Sequence, residues 1–308
     1  MHVEYAILIK NKTRLEALIE RFNTKSQARF YIERQGGDFN DYEKEDAIFY
    51  DSLHKLQAGL SKVIKYKIVE RSFLSSYIFS EKNVIVTIGQ DGLVANTAKY
   101  SRGVPIVAVN PDPERYDGVL LPFDVTNFQR GVEEVMAGTC QLRKVNFAEA
   151  RLNDGQRLLA FNDLFIGAAS HISARYRISY GNETEEHSSS GIIISTRAGS
   201  TGWLSSVFNM AYGVAGLFEK NLTLKHPKLK EEQLLFVVRE PFRSLRTQTG
   251  LSVGLIDRRH PLRIESFMPA GGVIFSDGIE SDYLNFNSGS VVSVGIAEEV
   301  ANLVEMKK

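Results

Sequence analysis

Two short runs in the first half of the sequence, Asn83–Ile88 and Pro105–Asn110, are apolar at nearly every position. Such runs are typical of strands that are buried on both faces, as in a parallel sheet covered by helices. A capping box of Thr13 and Glu16 predicts a helix after the first strand, and Leu93–Tyr100, between the two runs, can be helical. Strands that alternate with helices predict an α/β domain with a parallel, doubly wound sheet.

The sequence pattern changes near residue 136. From about Lys144 onward the chain consists of short alternating runs separated by turn residues, for example Arg175–Tyr180 and Leu262–Ser266. This pattern is typical of β-rich layers. We therefore predict an α/β domain over residues 1–136 and a β-rich domain over residues 137–308, whose last segment is a candidate to pack back on the first domain.

Charge and composition exclude several classes of protein. The 308 residues include 37 Lys and Arg and 37 Asp and Glu, so no excess of positive charge is available to bind nucleic acid. A lone cysteine, Cys140, excludes an internal disulfide and a thiolate zinc site. The longest apolar runs are far shorter than the roughly 20 residues of a membrane helix. No signal peptide or presequence is recognisable, so the expected location is the cytoplasm.

The loop Gly89-Gln90-Asp91-Gly92 lies between a buried strand and a helix. Ligands of parallel sheets bind at this edge, where glycines and free backbone N–H groups let a phosphate approach closely. An acidic residue is unfavourable beside a phosphate, so Asp91 suggests a general base or a metal ligand. Equally, Asp91 is a candidate to cap a helix that begins at Leu93.

A second polar pair, Asn162-Asp163, interrupts an apolar run. Its donors and acceptors suit a ribose diol or an adenine edge, although an Asn-Asp pair is also common in turns. A third cluster combines Ser190 with the loop Ala198–Gly202, which follows a strand and precedes Trp203, the only tryptophan. Its hydroxyl and N–H groups form a polar cradle. Trp203 either stacks on an aromatic ring or, as we expect of a lone tryptophan, belongs to the core.

Several well-known catalytic and binding motifs are missing from the sequence or incomplete in it. A P-loop, the dinucleotide fingerprint GxGxxG and paired metal-ligand spacing are all missing, so no residue is assigned to bind a metal directly. The loop around Ser200 resembles the nucleophile elbow of serine hydrolases. Asp257 or Asp277 and His260 would then complete a catalytic triad, but none of them follows a strand in a convincing way.

These three clusters, in this order, resemble the motifs of the NAD kinase family, and most closely those of its mitochondrial type. The resemblance extends from about residue 84 to residue 280. It rests on Gly89–Gly92, Val109–Arg115 with Gly118, Asn162–Gly167, Ser189–Gly191, Ser200–Trp203, Val238–Pro241 and Ser276–Gly278.

The resemblance implies an ATP-dependent kinase with an α/β N-terminal domain and a β-rich C-terminal domain. Asp91 would take the proton from the adenosine-ribose 2′-hydroxyl of NAD, which then attacks the γ-phosphate of ATP while Mg²⁺ offsets the charge. The family is usually oligomeric, and its mitochondrial type is typically dimeric, so the implied partners are small nucleotides and a second copy of the chain. The residues implied to bind ATP are Gly89, Gln90 and Gly92, and those implied to bind NAD are Asn110, Asn162, Asp163, Ser190, Ser200, Thr201 and Trp203.

The chain departs from the family pattern within the phosphate loop. Gln90 replaces a glycine, and its Cβ restricts the backbone next to the phosphates. Leu93 replaces a threonine, which removes a hydroxyl from the loop. These changes leave open two alternatives to an NAD kinase: a catalytically weakened paralogue that binds NAD or NADP as a sensor or partner subunit, and a related kinase for another hydroxyl substrate such as a lipid or sugar.

Overall fold

The structure is a computed structural model that describes residues 3–218 and 226–306. The chain divides into two compact units, one of Met1–Lys144 with Ala301–Lys308 and the other of Val145–Val300. The last strand therefore begins in the second unit and ends in the first. Within the described residues no helix is both long enough and apolar enough to cross a membrane.

The described residues of the first unit include five parallel strands and five α-helices. The strand order is β5-β4-β3-β1-β2, and the end of the last strand of the chain pairs with β4 at Ile106. The elements are β1 Tyr5–Lys10, α1 Arg14–Phe22, α2 Lys25–Arg34, α3 Phe39–Val63, β2 Lys65–Glu70, β3 Asn83–Ile88, α4 Asp91–Tyr100, β4 Ile106–Asn110, β5 Phe123–Asp124 and α5 Phe128–Met136.

The local sequence explains these elements. Every residue of β3 and of β4 is buried, as the apolar runs predict for central strands of a parallel sheet. Thr13 accepts a hydrogen bond from the Glu16 backbone N–H, and the Glu16 carboxylate accepts one from the Thr13 N–H, so the predicted capping box begins α1. The carboxyl ends of β1, β3 and β4 therefore lie together at one edge of the sheet.

The strands in the described residues of the second unit belong to two β-sheets. One has the order β10-β9-β14-β17, with β6 pairing with β17 and β7, and the other has the antiparallel order β13-β12-β11-β8-β15-β16. The elements are β6 Gln141–Leu152, β7 Arg157–Ala160, β8 Asp163–Ala168, β9 Ala174–Tyr180, β10 Glu183–Ser189, β11 Ile192–Ser195, α6 Trp203–Ala215, β12 Leu234–Val238, β13 Val253–Ile256, β14 Leu262–Ser266, β15 Gly272–Ser276, β16 Ile279–Asn285 and β17 Val291–Glu305.

Apolar residues alternate with other residues along the strands of the second unit, and they form an apolar core between its two sheets. Ile166 and Ile194 of one sheet pack in the same buried cluster as Tyr176 and Ile264 of the other. Successive side chains of a strand point to opposite faces, so Phe165, next to Ile166, lies on the outer face of its sheet. The candidate residues Trp203 and Arg239 lie beside Phe165 on that outer face.

Candidate functional site

The loop after β3 leads directly into α4. Asp91 is the first residue of this helix, and Gln90 is its N-cap, without a side-chain hydrogen bond to the helix. The Asp91 carboxylate instead accepts hydrogen bonds from the backbone N–H of Leu120, at 2.8 Å, and of Val119, at 3.2 Å. The alternative in which Asp91 caps a helix beginning at Leu93 is therefore wrong. Both carboxylate oxygens are held by the chain that follows Gly118.

A cavity of about 310 Å³ lies within the first unit beside this loop. Gly89, Gln90 and Gly92 line it, and a Cβ on Gly92 would meet no atom within 4 Å. The cavity therefore lies at the carboxyl edge of the parallel strands, where ligands of α/β sheets bind. The other lining residues are Asn11, Lys12, Thr13, Arg14, Glu45, Phe49, Arg71, Ile88, Leu93, Pro111, Asp112 and Tyr116.

Asn110 is buried at the end of β4, and both ends of its side chain already have partners. Its amide nitrogen donates to the carbonyl oxygen of Tyr116 at 3.0 Å, and its oxygen accepts from the N–H of Asp112 at 3.0 Å. These bonds fix the loop after β4, whose residues Val119 and Leu120 contact the Asp91 carboxylate. The local structure thus gives Asn110 a role in shaping the loop, while its predicted contact with NAD stays a prediction.

The Asn162-Asp163 pair at the start of β8 is held by the turn between β15 and β16. The Asp277 carboxylate accepts hydrogen bonds from the backbone N–H groups of Phe161 at 3.1 Å, Asn162 at 2.6 Å and Asp163 at 3.3 Å. Asp277 and Gly278 have φ values of 54° and 69°, as in a two-residue hairpin turn. Asp277 therefore fixes the backbone of Asn162 and Asp163, so the Asn162 side chain is not needed to hold it.

Asp163 is largely buried and faces a like charge. One of its carboxylate oxygens is buried without a hydrogen-bond partner among the described residues. Burial, and secondly the Asp277 carboxylate, raises the pKa of Asp163 to about 7. Asp163 therefore changes charge near neutral pH, and its protonated form is a hydrogen-bond donor that an ordinary aspartate is not.

The loop after β11 packs directly on Asn162. The Thr196 hydroxyl donates a hydrogen bond to the carbonyl oxygen of Phe161 at 2.6 Å, and the Thr196 backbone N–H donates one to the carbonyl oxygen of Asn162 at 2.9 Å. A Cβ on Gly199 would lie 2.2 Å from the Asn162 carbonyl oxygen, so only glycine fits there. Asn162, Asp163 and the polar loop of Ser200 are therefore brought together in one cluster.

The hydroxyls of this loop have different environments. Ser200 donates to the carbonyl oxygen of Arg197 at 2.8 Å, while Thr201 is exposed. His260 pairs with Asp257 at 2.9 Å, and no hydrogen bond joins Ser200 to a histidine within the described residues. The arrangement does not support the serine hydrolase alternative, which requires such a contact.

Trp203 belongs to an aromatic cluster on the outer face of the second sheet. Its ring stacks on Phe165, with centroids 5.7 Å apart, and Phe165 stacks on Phe275 at 4.9 Å. The Arg239 guanidinium lies 5.6 Å from the centre of the Trp203 ring. Trp203 is half-buried, so the expectation that it belongs to the core is wrong. Stacking leaves part of the indole open to solvent.

A second cavity, of about 570 Å³, adjoins this cluster within the second unit. Phe165, Trp203, Arg239 and Phe275 line it. Ser190 lies next to Arg239, because its backbone N–H donates a hydrogen bond to the Arg239 carbonyl oxygen at 3.0 Å. Ser190 is therefore placed beside the aromatic cluster rather than beside Asn162.

Asp277 belongs to the Ser276–Gly278 motif, but the sequence does not indicate its anchoring role, nor a role for Thr196 or Arg71 in the site. The Asp-Gly pair between two strands is a hairpin signal, but nothing in the sequence identifies the strand that the turn will hold. Among the described residues, no group of three or more His, Cys, Asp or Glu side chains could hold a metal ion.

Comparison with known proteins identifies the fold. No family model and no curated protein matches the chain. An NAD kinase from Archaeoglobus fulgidus, solved with ATP, is 13% identical over 98% of this chain and 93% of its own, with a TM-score of 0.58. Yeast NADH kinase, solved with NADH, is 15% identical over 100% of this chain and 85% of its own, with a TM-score of 0.59. The chain has the fold of these kinases.

This likeness confirms the predicted fold class, an α/β N-terminal part with a parallel sheet and a β-rich C-terminal part. At 13% and 15% identity it shows the fold alone. The assignment to the mitochondrial type and the roles of the predicted site residues stay predictions.

Proposed function

We propose that this protein is an NAD kinase that transfers the γ-phosphate of ATP to the adenosine-ribose 2′-hydroxyl of NAD. One observation carries the proposal: a chain with the fold of NAD and NADH kinases has an aspartate, Asp91, three residues after the buried parallel strand β3, and its neighbours Gln90 and Gly92 line a cavity. Ligands of parallel sheets bind at this edge. Glycines on either side of Gln90 and Asp91 leave the loop backbone open to phosphate groups.

In the proposed reaction Asp91 is the general base. Each of its carboxylate oxygens accepts one backbone N–H, from Leu120 or Val119, and keeps a second lone pair for a substrate proton. The proton of the 2′-hydroxyl moves to Asp91 while the oxygen forms a bond to the γ-phosphorus. The bond from that phosphorus to the bridging oxygen then breaks and ADP leaves. The two N–H bonds fix the direction of the carboxylate, which is the condition for efficient proton transfer.

The second unit would recognise the dinucleotide. We assign the adenosine part to Asn162 and Asp163, whose backbone is held by Asp277, and to Ser200 and Thr201 in the adjoining loop. Asp163 suits this task because a carboxyl group that is protonated about half of the time near pH 7 both donates to and accepts from hydroxyls.

Ser190 and the face of Trp203 would contact the remainder of NAD. Stacking on Phe165 keeps the indole in one orientation, so a planar ring of the ligand meets a preformed surface.

Mg²⁺ fits this site as the counter-ion of the ATP phosphates. Mg²⁺ is commonly held by substrate phosphates, waters and one or two carboxylates, so the lack of a three-ligand cluster in the described residues is compatible with it. Asp112 and Glu45 are the carboxylates that line the cavity, and Glu45 is paired with Arg14. Asp112 is therefore the residue that we assign to the ion, which would neutralise charge between the phosphates.

The proposal is tested by NADP formation from ATP, Mg²⁺ and NAD with the purified protein. Asp91→Asn should lower kcat by a factor on the order of 100 or more, as is usual when a general base is removed. Asp117→Asn is the matched control, because Asp117 is exposed in the loop that contacts Asp91. Equal rates for the native protein and Asp91→Asn would rule out Asp91 as the base, and the absence of NADP in all three would refute the kinase.

A second candidate function is a non-catalytic protein that binds NAD or NADP. Leu93, which lines the cavity beside the phosphate loop, is apolar and offers no hydroxyl to a phosphate. In this case NAD would raise the melting temperature of the protein without NADP being formed.

We also propose a homodimer in the cytoplasm. The support for the dimer is the resemblance to the mitochondrial type of NAD kinase. Sedimentation velocity at two protein concentrations tests the dimer, since a monomer of 34.5 kDa is easily distinguished from a pair.

A further inference from the structure

Three basic side chains line the cavity of the first unit, and two of them are paired with carboxylates. Lys12 lies 2.8 Å from Glu20. Arg14 lies 3.0 Å from Asp41 and also contacts Glu45. A cation held by a carboxylate has part of its charge and its donors already used, so neither Lys12 nor Arg14 is the natural partner of a further anion.

Among the described residues, the third cation, Arg71, has no carboxylate partner. It follows β2 in a short 3-10 helix, Arg71–Ser76, and is half-buried. The Arg71 side chain donates a hydrogen bond from Nε to the neutral Oδ1 of Asn96 at 3.4 Å. Within the part of the chain that the structure describes, Arg71 forms no ion pair. Its terminal nitrogens are therefore available in a cavity that also contains Gly89 and Gly92.

The hydrogen bond to Asn96 holds the Arg71 side chain in a defined position. Asn96 is buried within α4, five residues after Asp91, so the bond ties the guanidinium to the helix that begins at the phosphate loop. The guanidinium presents several donors in a planar fork, and this geometry matches two oxygens of one phosphate group.

From these observations we infer that Arg71 binds the polyphosphate chain of the phosphoryl donor. The inference rests on the proposed function and names the residue that holds the donor in the first unit. It also accounts for the altered loop: Leu93 supplies no hydroxyl to a phosphate, and the unpaired guanidinium of Arg71 supplies charged donors to the same cavity. A carboxylate ligand would use the same fork, so the triphosphate must be distinguished by its greater charge and length.

The inference is tested with Arg71→Ala and Arg71→Lys, each compared with the native protein. For Arg71→Ala we expect the KM for ATP to rise by a factor on the order of 10 to 100, the range of one lost charge-assisted pair, with the KM for NAD little changed. Arg71→Lys keeps the positive charge but lacks the planar fork of donors, so its KM for ATP should lie between those of the native protein and Arg71→Ala. Arg34→Ala is the matched control, because Arg34 is an exposed arginine of the first unit outside the cavity.

A second measurement separates this inference from the proposed function. Isothermal titration of inorganic triphosphate, without NAD, should show affinity that falls in Arg71→Ala and is retained in Arg34→Ala, while acetate should bind to none of them. If no protein forms NADP but the triphosphate affinity depends on Arg71, the kinase is refuted and the anion site stands. If Arg71→Ala binds triphosphate as the native protein does, or Arg34→Ala loses as much affinity, the inference is overturned. Thermal melting of each variant shows that it is folded.

Discussion

Gly199 shows how a single residue decides the geometry of the candidate site. Its Cα lies so close to the Asn162 carbonyl oxygen that an added Cβ would be 2.2 Å away from it. Backbone cannot move aside as the end of a flexible side chain can. We expect Gly199→Ala to lower the free energy of unfolding by about 1–3 kcal/mol or more, as overpacking of a tight site does.

Gly213→Ala provides the matched control for Gly199→Ala. Gly213 lies within α6, and a Cβ there would meet no atom within 4 Å. Alanine is the better helix former, so this variant should be more stable by about 0.5–1 kcal/mol. Urea unfolding of both variants tests the pair, and similar effects of the two would show that the close approach at Asn162 is not maintained in solution.

The protonation of Asp163 should be visible in the stability of the protein. Its pKa is about 7 in the folded protein, because of burial and then of Asp277, against about 4 in an unfolded chain. Between these values the folded state holds a proton that the unfolded state has lost. The contribution of Asp163 to stability is therefore highest below pH 4 and falls as the pH rises toward 7, by at most about 1.4 kcal/mol per pH unit.

Asp163→Asn removes this titration. We expect the stability of the variant relative to the native protein to increase from pH 5 to pH 7 and to level off above pH 8. Urea unfolding at several pH values measures the difference, in which the contributions of the other titrating groups cancel. Parallel stability curves for the two proteins would show that the pKa of Asp163 is not raised.

At the scale of elements, the hairpin turn between β15 and β16 holds the start of β8. The Asp277 carboxylate accepts three consecutive backbone N–H groups, and Asp277 itself has a φ of 54°. Asp277→Ala leaves those donors without an acceptor and places alanine in a left-handed conformation, so we expect a loss of about 2–4 kcal/mol.

Asp277→Asn is the conservative comparison for the turn. Asparagine tolerates the left-handed conformation and keeps one acceptor oxygen, so this variant should lose less stability than Asp277→Ala. Chemical unfolding of both variants measures the two losses. Equal losses would show that the negative charge, and not the turn conformation, is what holds the Asn162-Asp163 pair.

Local patterns predicted several elements well. The capping box at Thr13 and the buried runs of β3 and β4 were confirmed because each depends on residues that are neighbours in the chain. The start of α4 was predicted at Leu93 and lies at Asp91, whose carboxylate bonds to Val119 and Leu120 rather than to its own helix. No local pattern in the sequence contains that information.

At the scale of the whole molecule, Trp203 offers a signal that belongs to the second unit alone. It is the only tryptophan, and its half-buried ring stacks on Phe165. We expect NAD to quench its fluorescence with saturation, and inorganic triphosphate, which we assign to Arg71 in the first unit, to leave the emission unchanged. A titration of each ligand measures this, and Trp203→Phe provides the blank. Quenching by triphosphate equal to that by NAD would contradict the separate assignment of the two ligands.

The sequence by itself determined the alternation of strands and helices in the first part of the chain, the change from an α/β to a β-rich part, and the place of Asp91 shortly after a buried strand. These depend on periodicity and on turn residues, which are local properties. Only the tertiary structure decided the partners: Asp277 holds residues more than 100 positions earlier in the chain, and Arg71 is left without a carboxylate among the described residues. Partners at such separations are set by how strands and loops pack, and packing depends on all of the contacts together.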